Sequence, residues 1–284
     1  MTEMTIRELW AQTADLLDDR PAARWLCEVA TSSYDEEFTA ALDEPVTQRM
    51  VTHLDSMLER LRTGEPLQYV LGRWGFRRLD LAIDSRVLIP RPETELVAEA
   101  AISLARACGS TVTVADLGTG SGAIGLAIAD ELPLAGTTVW ITDADADALD
   151  LARANLSGIG RAAVNVRVAH GSWFDALPDD VRFDVLVTNP PYIAAESSLI
   201  DDSVRRWEPH RALFSGADGL DDIRHLVRGA PAHLAAGGWL VLEIGADQGS
   251  VVRDLLESNG YADIEIRADF AGHDRIALGR SPRP

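Results

Sequence analysis

Apolar and polar positions follow three different rhythms along this chain. Through the first part they recur at helical spacing. Ile6, Leu9, Trp10, Ala14 and Leu17 form one face, and Trp25, Leu26, Val29 and Ala30 a second. Phe38, Ala41 and Leu42 form a third, and Met50, Val51, Leu54, Met57, Leu58 and Leu61 a fourth. Pro21, Thr31-Ser32-Ser33 and Pro45 punctuate them, so a small helical domain is expected over residues 1–63. Over 64–90 the rhythm breaks. Gly64, Pro66, Gly72 and Gly75 interrupt the helical pattern, Leu79, Leu81 and Ile83 alternate, and Val87-Leu88-Ile89 runs into Pro90, which predicts a hairpin-like linker. From 91 to 284 short apolar runs alternate with amphipathic segments. Strands are expected at 111–117, 138–142, 164–169, 183–188, 238–244, 262–267 and 275–279, and helices at 93–107, 123–132, 145–156, 219–235 and 247–258. Strands alternating with helices predict an α/β domain with a parallel sheet covered on both faces.

Two strand ends carry candidate chemistry. The strand Thr111–Leu117 runs into Gly118-Thr119-Gly120-Ser121-Gly122 and then a helix. Glycines let the backbone turn tightly and approach a ligand, and the helix that follows offers free N–H groups. The next strand ends at Asp143, about 25 residues on, where an acid suits the two hydroxyls of a ribose. Gly120 to Gly125 also satisfies G-x-G-x-x-G, so the loop alone fits a nicotinamide dinucleotide and S-adenosylmethionine equally well. The frame favours the second. The last apolar residue of the strand is Leu117, so the turn starts at Gly118 and the loop reads Asp-x-Gly-x-Gly-x-Gly from Asp116.

The strand Phe183–Thr188 ends in Asn189-Pro190-Pro191-Tyr192. Neither proline has a backbone N–H and each fixes φ, so the chain leaves the strand as a stiff extended loop. The corner holds an amide, exposed carbonyls and an aromatic face at the edge where open α/β sheets bind ligands. A planar nitrogen, in an amide or an aromatic amine, suits it. An amide nitrogen is a poor nucleophile because its lone pair is delocalised. The Asn189 side-chain oxygen and the Pro190 carbonyl would accept its two hydrogens and point the lone pair at an electrophilic methyl, with Tyr192 stacked on the flat group. The gain is positioning and preorganised electrostatics.

Composition narrows the choice. The net charge of −19 opposes attraction to a phosphate backbone, so no stable nucleic-acid partner is expected. All 26 basic residues are arginine, which excludes Schiff-base, pyridoxal phosphate and P-loop lysine chemistry. No apolar run is long enough for a membrane span, and Met1-Thr2-Glu3-Met4 lacks the regions of a signal peptide, so a cytoplasmic protein without membrane association is expected. Cys27 and Cys108 read as separate buried packing residues, and no histidine or cysteine cluster has metal-ligand spacing. Asp145 reads as a helix N-cap and Asp201-Asp202 as a solvated turn.

Together these residues closely resemble the PrmC/HemK family, the methyltransferases that modify glutamine in peptide chain release factors. The resemblance rests on Gln68-Tyr69-Val70-Leu71-Gly72 with Phe76, on Leu88 to Glu95, on Asp116 to Gly122 and on Asn189 to Ile193. Glu208-Pro209, Ala212 to Phe214, Asp218 to Leu220, Glu243 to Gly245 and Gln248 extend it. It implies an N-terminal helical domain, a hairpin and a seven-stranded, Rossmann-like class I methyltransferase sheet with one antiparallel strand. It implies S-adenosyl-L-methionine as cofactor, release factors as protein substrate, and methylation of N5 of the glutamine in Gly-Gly-Gln, with a monomer expected. Gly118, Thr119, Gly120, Ser121, Gly122 and Asp143 would hold the cofactor, with Trp173 near its adenine. Asn189 would touch cofactor and substrate, Pro190, Pro191 and Tyr192 the substrate, and Arg91 and Glu93 would lie near the substrate entrance. The chain departs from the family at Ser172, where many members carry an acid. Asn-Pro-Pro-Tyr by itself is shared with adenine-N6 methyltransferases of DNA, so adenine-N6 transfer to DNA or RNA stays an alternative, as does a non-catalytic module that docks on translation factors.

Overall fold

The computed structural model describes residues 4–197 and 200–281; Met1–Glu3, which open the segment read for a signal peptide, lie outside them. The chain divides into two compact units, Met1–Arg73 and Trp74–Pro284. The first is helical: α1 (Ile6–Leu17), α2 (Arg20–Thr31), α3 (Asp35–Ala40), α4 (Gln48–Arg62) and α5 (Leu67–Leu71). Thr5 starts α1 with a capping box, accepting the Glu8 N–H while the Glu8 carboxylate accepts the Thr5 N–H at 2.8 Å. Asp19 caps α2 by accepting the Ala22 N–H at 3.0 Å. Ile6, Leu26, Phe38 and Met57 are the buried centre. Trp25, read with Leu26 as one apolar face, is 40% exposed. The five-residue α5 gave no periodic signal, being shorter than two turns. The Arg60 guanidinium holds it by donating to the Tyr69 and Val70 carbonyls at 2.8 and 3.2 Å.

The second unit begins within a hairpin of β1 (Arg73–Phe76) and β2 (Leu79–Ala82). Helix α6 (Pro92–Ala107) leads into the main sheet. Its strands are β3 (Val112–Leu117), β4 (Thr137–Asp143), β5 (Val166–His170), β6 (Phe183–Thr188), β7 (Leu234–Glu243), β8 (Ala262–Ala268) and β9 (Asp274–Arg280). Helices α7 (Ala123–Glu131), α8 (Ala146–Gly158), α9 (Asp202–Trp207), α10 (Asp221–Gly229) and α11 (Gly249–Ser258) connect them. The spatial order is β5-β4-β3-β6-β7-β9-β8, and among these seven strands β9 runs opposite to the rest. Val114, Val139, Val185, Leu186 and Leu240 are fully buried, as continuous apolar runs must be when both faces of a sheet are covered. Strand order reverses at β3, so the carboxyl ends of β3 and β6 border one crevice.

The seven expected strands are present, and four local expectations change. The helix expected over 219–235 stops at Gly229, because Pro231 cannot continue it. Strand β7 therefore starts at Leu234, four residues early, and absorbs the excess in a bulge around Gly237, whose φ of 76° favours glycine. Asp201 and Asp202 are solvent-exposed as expected, but they open a helix rather than a free turn: Asp201 caps α9 by accepting the Ser203 N–H at 2.8 Å. Cys27 is buried as expected, but Cys108 sits at the exposed end of α6, where the chain turns into Gly109. No helix among the described residues is long and apolar enough to cross a membrane.

Helix α7 lies so close to β4 that a Cβ on Gly125 would sit 2.3 Å from Ile141 Cγ2 and 3.1 Å from Asp116. Gly125→Ala is expected to destabilise the protein by about 1–3 kcal/mol through overpacking. Urea unfolding measures this, and an unchanged midpoint would mean that α7 shifts freely.

Candidate active site

The crevice between the ends of β3 and β6 opens into a cavity of about 260 Å³. The glycine loop forms its floor. Gly118, Gly120 and Gly122 have φ of 67°, 55° and 88°, a left-handed path that side chains rarely follow. The loop is tied at both ends. The Thr119 N–H donates to the Thr142 carbonyl at 2.8 Å, and the Gly120 N–H to Asp143 Oδ2 at 2.9 Å. Asn155 on α8 donates from Nδ2 to the Ser121 carbonyl at 2.8 Å and accepts the Ala82 N–H at 2.7 Å. It thereby fastens the loop to β2.

Two acids face this loop. Asp143 accepts the Asp145 N–H with Oδ1 at 2.9 Å, and Asp145, as expected, caps α8. Burial raises the Asp143 carboxyl above the usual range, against the hydrogen bond from Gly120 and the charge of Arg211. Asp116, 1% exposed, accepts from the Thr119 hydroxyl and from the Gly125 N–H with Oδ2. Its other oxygen is buried, in a residue of the cavity wall, without a hydrogen-bond partner among the described residues. Burial pushes Asp116 up to about 7.

Trp173 and Ser172 line the cavity. The Trp173 ring packs on Gly118, so that a Cβ there would lie 3.2 Å from Cζ3. Trp173 has a φ of 47° and donates its indole N–H to Asp222 Oδ1 at 3.0 Å. Asp222 also accepts from the Ser215 hydroxyl at 2.6 Å. Asp175 is exposed and outside the cavity wall, whereas Asp222 lines the cavity beside Trp173.

The Asn-Pro-Pro-Tyr corner forms the opposite wall, with Asn189 and Pro191 lining the cavity. Pro190 is buried, and Tyr192 turns inward to donate its hydroxyl to Glu243 Oε1 at 3.1 Å. Gln248 donates to the Tyr192 carbonyl at 2.9 Å, and the Ile193 N–H donates to the Leu213 carbonyl at 2.9 Å. Glu243, at the end of β7, is 1% exposed and also accepts the Thr94 hydroxyl at 2.6 Å. Burial raises its carboxyl, while the two hydroxyl donors and Arg275 pull it down. Burial and the Glu243 charge raise the Tyr192 phenol above its ordinary value.

Gly118, Thr119, Gly120, Ser121, Asp143, Trp173, Asn189 and Pro191 thus meet around one cavity, while Gly122, Pro190, Tyr192, Arg91 and Glu93 stand outside its wall. Arg91 ion-pairs with Glu208, whose side chain is almost fully buried and also accepts the Ile89 N–H at 3.1 Å. Glu93 stands half-buried in the first turn of α6. Sequence reasoning missed the parts played by Thr94, Asn155, Asp222 and Glu243. Signals existed for Thr94, inside the distinctive segment Leu88 to Glu95, and for Glu243, an acid closing an apolar strand at the same sheet edge as Asp143.

The PrmC N-terminal domain matches residues 10–72, and the Methyltransferase small domain matches residues 98–206. The chain is 45% identical over 240 residues to the release factor glutamine methyltransferase of Xylella fastidiosa strain Temecula1, covering 84% of this chain and 85% of that protein. It is 44% identical over 268 residues to the Pseudomonas aeruginosa protein of the same name, covering 93% and 95%. A solved methyltransferase from Pyrococcus furiosus shares the fold, with a TM-score of 0.54 at 16% identity over 80% of this chain and 99% of that one. With this identity over most of its length, added to the glycine loop and the Asn-Pro-Pro-Tyr corner, the chain belongs to the release factor glutamine methyltransferase family.

Proposed function

We propose that this protein transfers the methyl group of S-adenosyl-L-methionine to N5 of the glutamine in the Gly-Gly-Gln motif of peptide chain release factors. The observation that carries this reading is the shared cavity, with the glycine loop and Asp143 on one side and Asn189 on the other. The wall suits a cationic nucleoside. Asp143 lies where ribose hydroxyls would bind, Trp173 offers a ring face, and the unpartnered Asp116 oxygen offers a buried acceptor. Gly118 to Gly122, Asp143 and Trp173 would hold the cofactor, which supplies an electrophilic methyl on sulfur.

The residues of the corner do the rest. Asn189 Oδ1 and the Pro190 carbonyl accept the two hydrogens of the substrate amide, so its lone pair turns toward the methyl. Pro191 and Tyr192 bound the slot for the flat group, and Arg91 and Glu93 stand nearer the entrance. No strong base is required at the nitrogen if its proton leaves after transfer. We assign the chemistry to residues 91–284, with 1–63 as a helical domain and 64–90 as a linker. The protein acts as a cytoplasmic monomer without stable nucleic acid.

A labelled-methyl assay offering release factor and unmethylated DNA in parallel tests this. Label is expected on the release factor glutamine. Label on DNA alone would favour adenine-N6 transfer, which the corner accommodates and the −19 charge opposes. Label on neither would point to docking without catalysis.

A further inference from the structure

Thr94, in the first turn of α6, is 4% exposed and joins two groups of the corner. Its hydroxyl donates to Glu243 Oε2 at 2.6 Å, and its oxygen accepts from Asn189 Nδ2 at 3.3 Å. A hydroxyl carries one proton. With that proton committed to a buried carboxylate, Thr94 has only lone pairs to offer Asn189. The asparagine must then turn its NH2 toward Thr94, which leaves Oδ1 for the cavity. The opposite amide orientation would set two donors against the two hydrogens of an incoming amide. The second carboxylate oxygen of Glu243 meanwhile fixes the Tyr192 hydroxyl at 3.1 Å.

We propose that Glu243, acting through Thr94, sets the orientation of the Asn189 amide, so that one buried carboxylate aligns both polar side chains of the corner. Thr94 and Glu243 are positioning residues. Thr94 borders the cavity with its hydroxyl committed to Glu243 and Asn189, Glu243 lies outside the cavity wall, and their effect reaches the substrate through Asn189. The inference rests on the reading of Asn189 as the acceptor of the glutamine amide hydrogens.

Thr94→Val keeps the shape and removes both hydrogen bonds. Thr94→Ser keeps them. Glu243→Gln leaves one acceptor oxygen for the two hydroxyl donors of Thr94 and Tyr192, so the charged acceptor that commits the Thr94 proton is lost and the Asn189 amide is no longer held in one orientation. Steady-state methyl transfer to release factor, cofactor binding by titration calorimetry and thermal unfolding are measured on each full-length variant. Thr94→Val and Glu243→Gln are expected to lower kcat by on the order of 10²-fold, as misplacement of a reacting group does. KM for release factor and cofactor Kd should stay within about threefold, and Thr94→Ser should keep kcat within about threefold of the unaltered protein. A kcat for Thr94→Val within threefold of the unaltered protein would overturn the inference, as would a Thr94→Ser variant impaired as deeply as Thr94→Val. Should Thr94→Val not fold, Glu243→Gln decides by the same criteria. If the unaltered protein leaves release factor unlabelled, the proposed function itself fails; normal labelling with insensitive variants removes only the relay.

Discussion

Asn189→Ala is expected to lower methyl transfer by about 10²–10³-fold while cofactor affinity stays within about tenfold. The loss is large because the amide oxygen acts where charge shifts during transfer. The fold should tolerate the change. Asn189 donates to Thr94 at 3.3 Å, but the Thr94 hydroxyl keeps its bond to Glu243, so truncation strands no buried donor. The stiff Pro190-Pro191 segment still shapes the wall. Stopped assays with labelled cofactor give the rate, and titration calorimetry gives the affinity. Complete loss of cofactor binding would contradict the role assigned to this side chain.

Asp143→Ala is expected to weaken cofactor binding by about 1.5–3 kcal/mol, or about 10- to 150-fold in Kd. Its carboxylate does two things at once. Oδ2 holds the Gly120 N–H and Oδ1 the Asp145 N–H, both at 2.9 Å, and each oxygen keeps a lone pair for a ribose hydroxyl. Alanine removes both anchors, so the loop loosens as the charged acceptor disappears. Asp143→Asn keeps one acceptor and much of the shape, and is expected to fall between the two. An unchanged dissociation constant in Asp143→Ala would remove this acid from the site.

What the sequence revealed of this site was local. Gly118 to Gly122, Asp143 and Asn189 to Tyr192 sit at strand ends, and strand ends can be read from short apolar runs. The single antiparallel strand came from the family resemblance rather than from periodicity. The hidden parts are held by distant partners. Thr94 and Glu243 are separated by 149 positions, Asn155 and Ala82 by 73, and Trp173 and Asp222 by 49. Thr94 lay within the distinctive segment Leu88 to Glu95 without a role of its own, and Asp222 carried no local signal. The helix expected through 235 was overrun because its apolar pattern continues past Gly229, where Pro231 stops it. Arg91 drew attention as a charge in a distinctive segment, and its guanidinium is paired with Glu208.

The ties on the Asn-Pro-Pro-Tyr loop also bear on how the molecule is made. Its Tyr192 hydroxyl is held from a position 51 residues later, and its Tyr192 carbonyl from 56 residues later. Strand β6 and the glycine loop emerge during synthesis well before Glu243 and Gln248 do. Loop closure over such separations must precede the contacts that reward it. A chain still on the ribosome can therefore display the pocket floor long before the amide wall is locked. The acceptor half gains these ties only when Glu243 and Gln248 have emerged and packed against it.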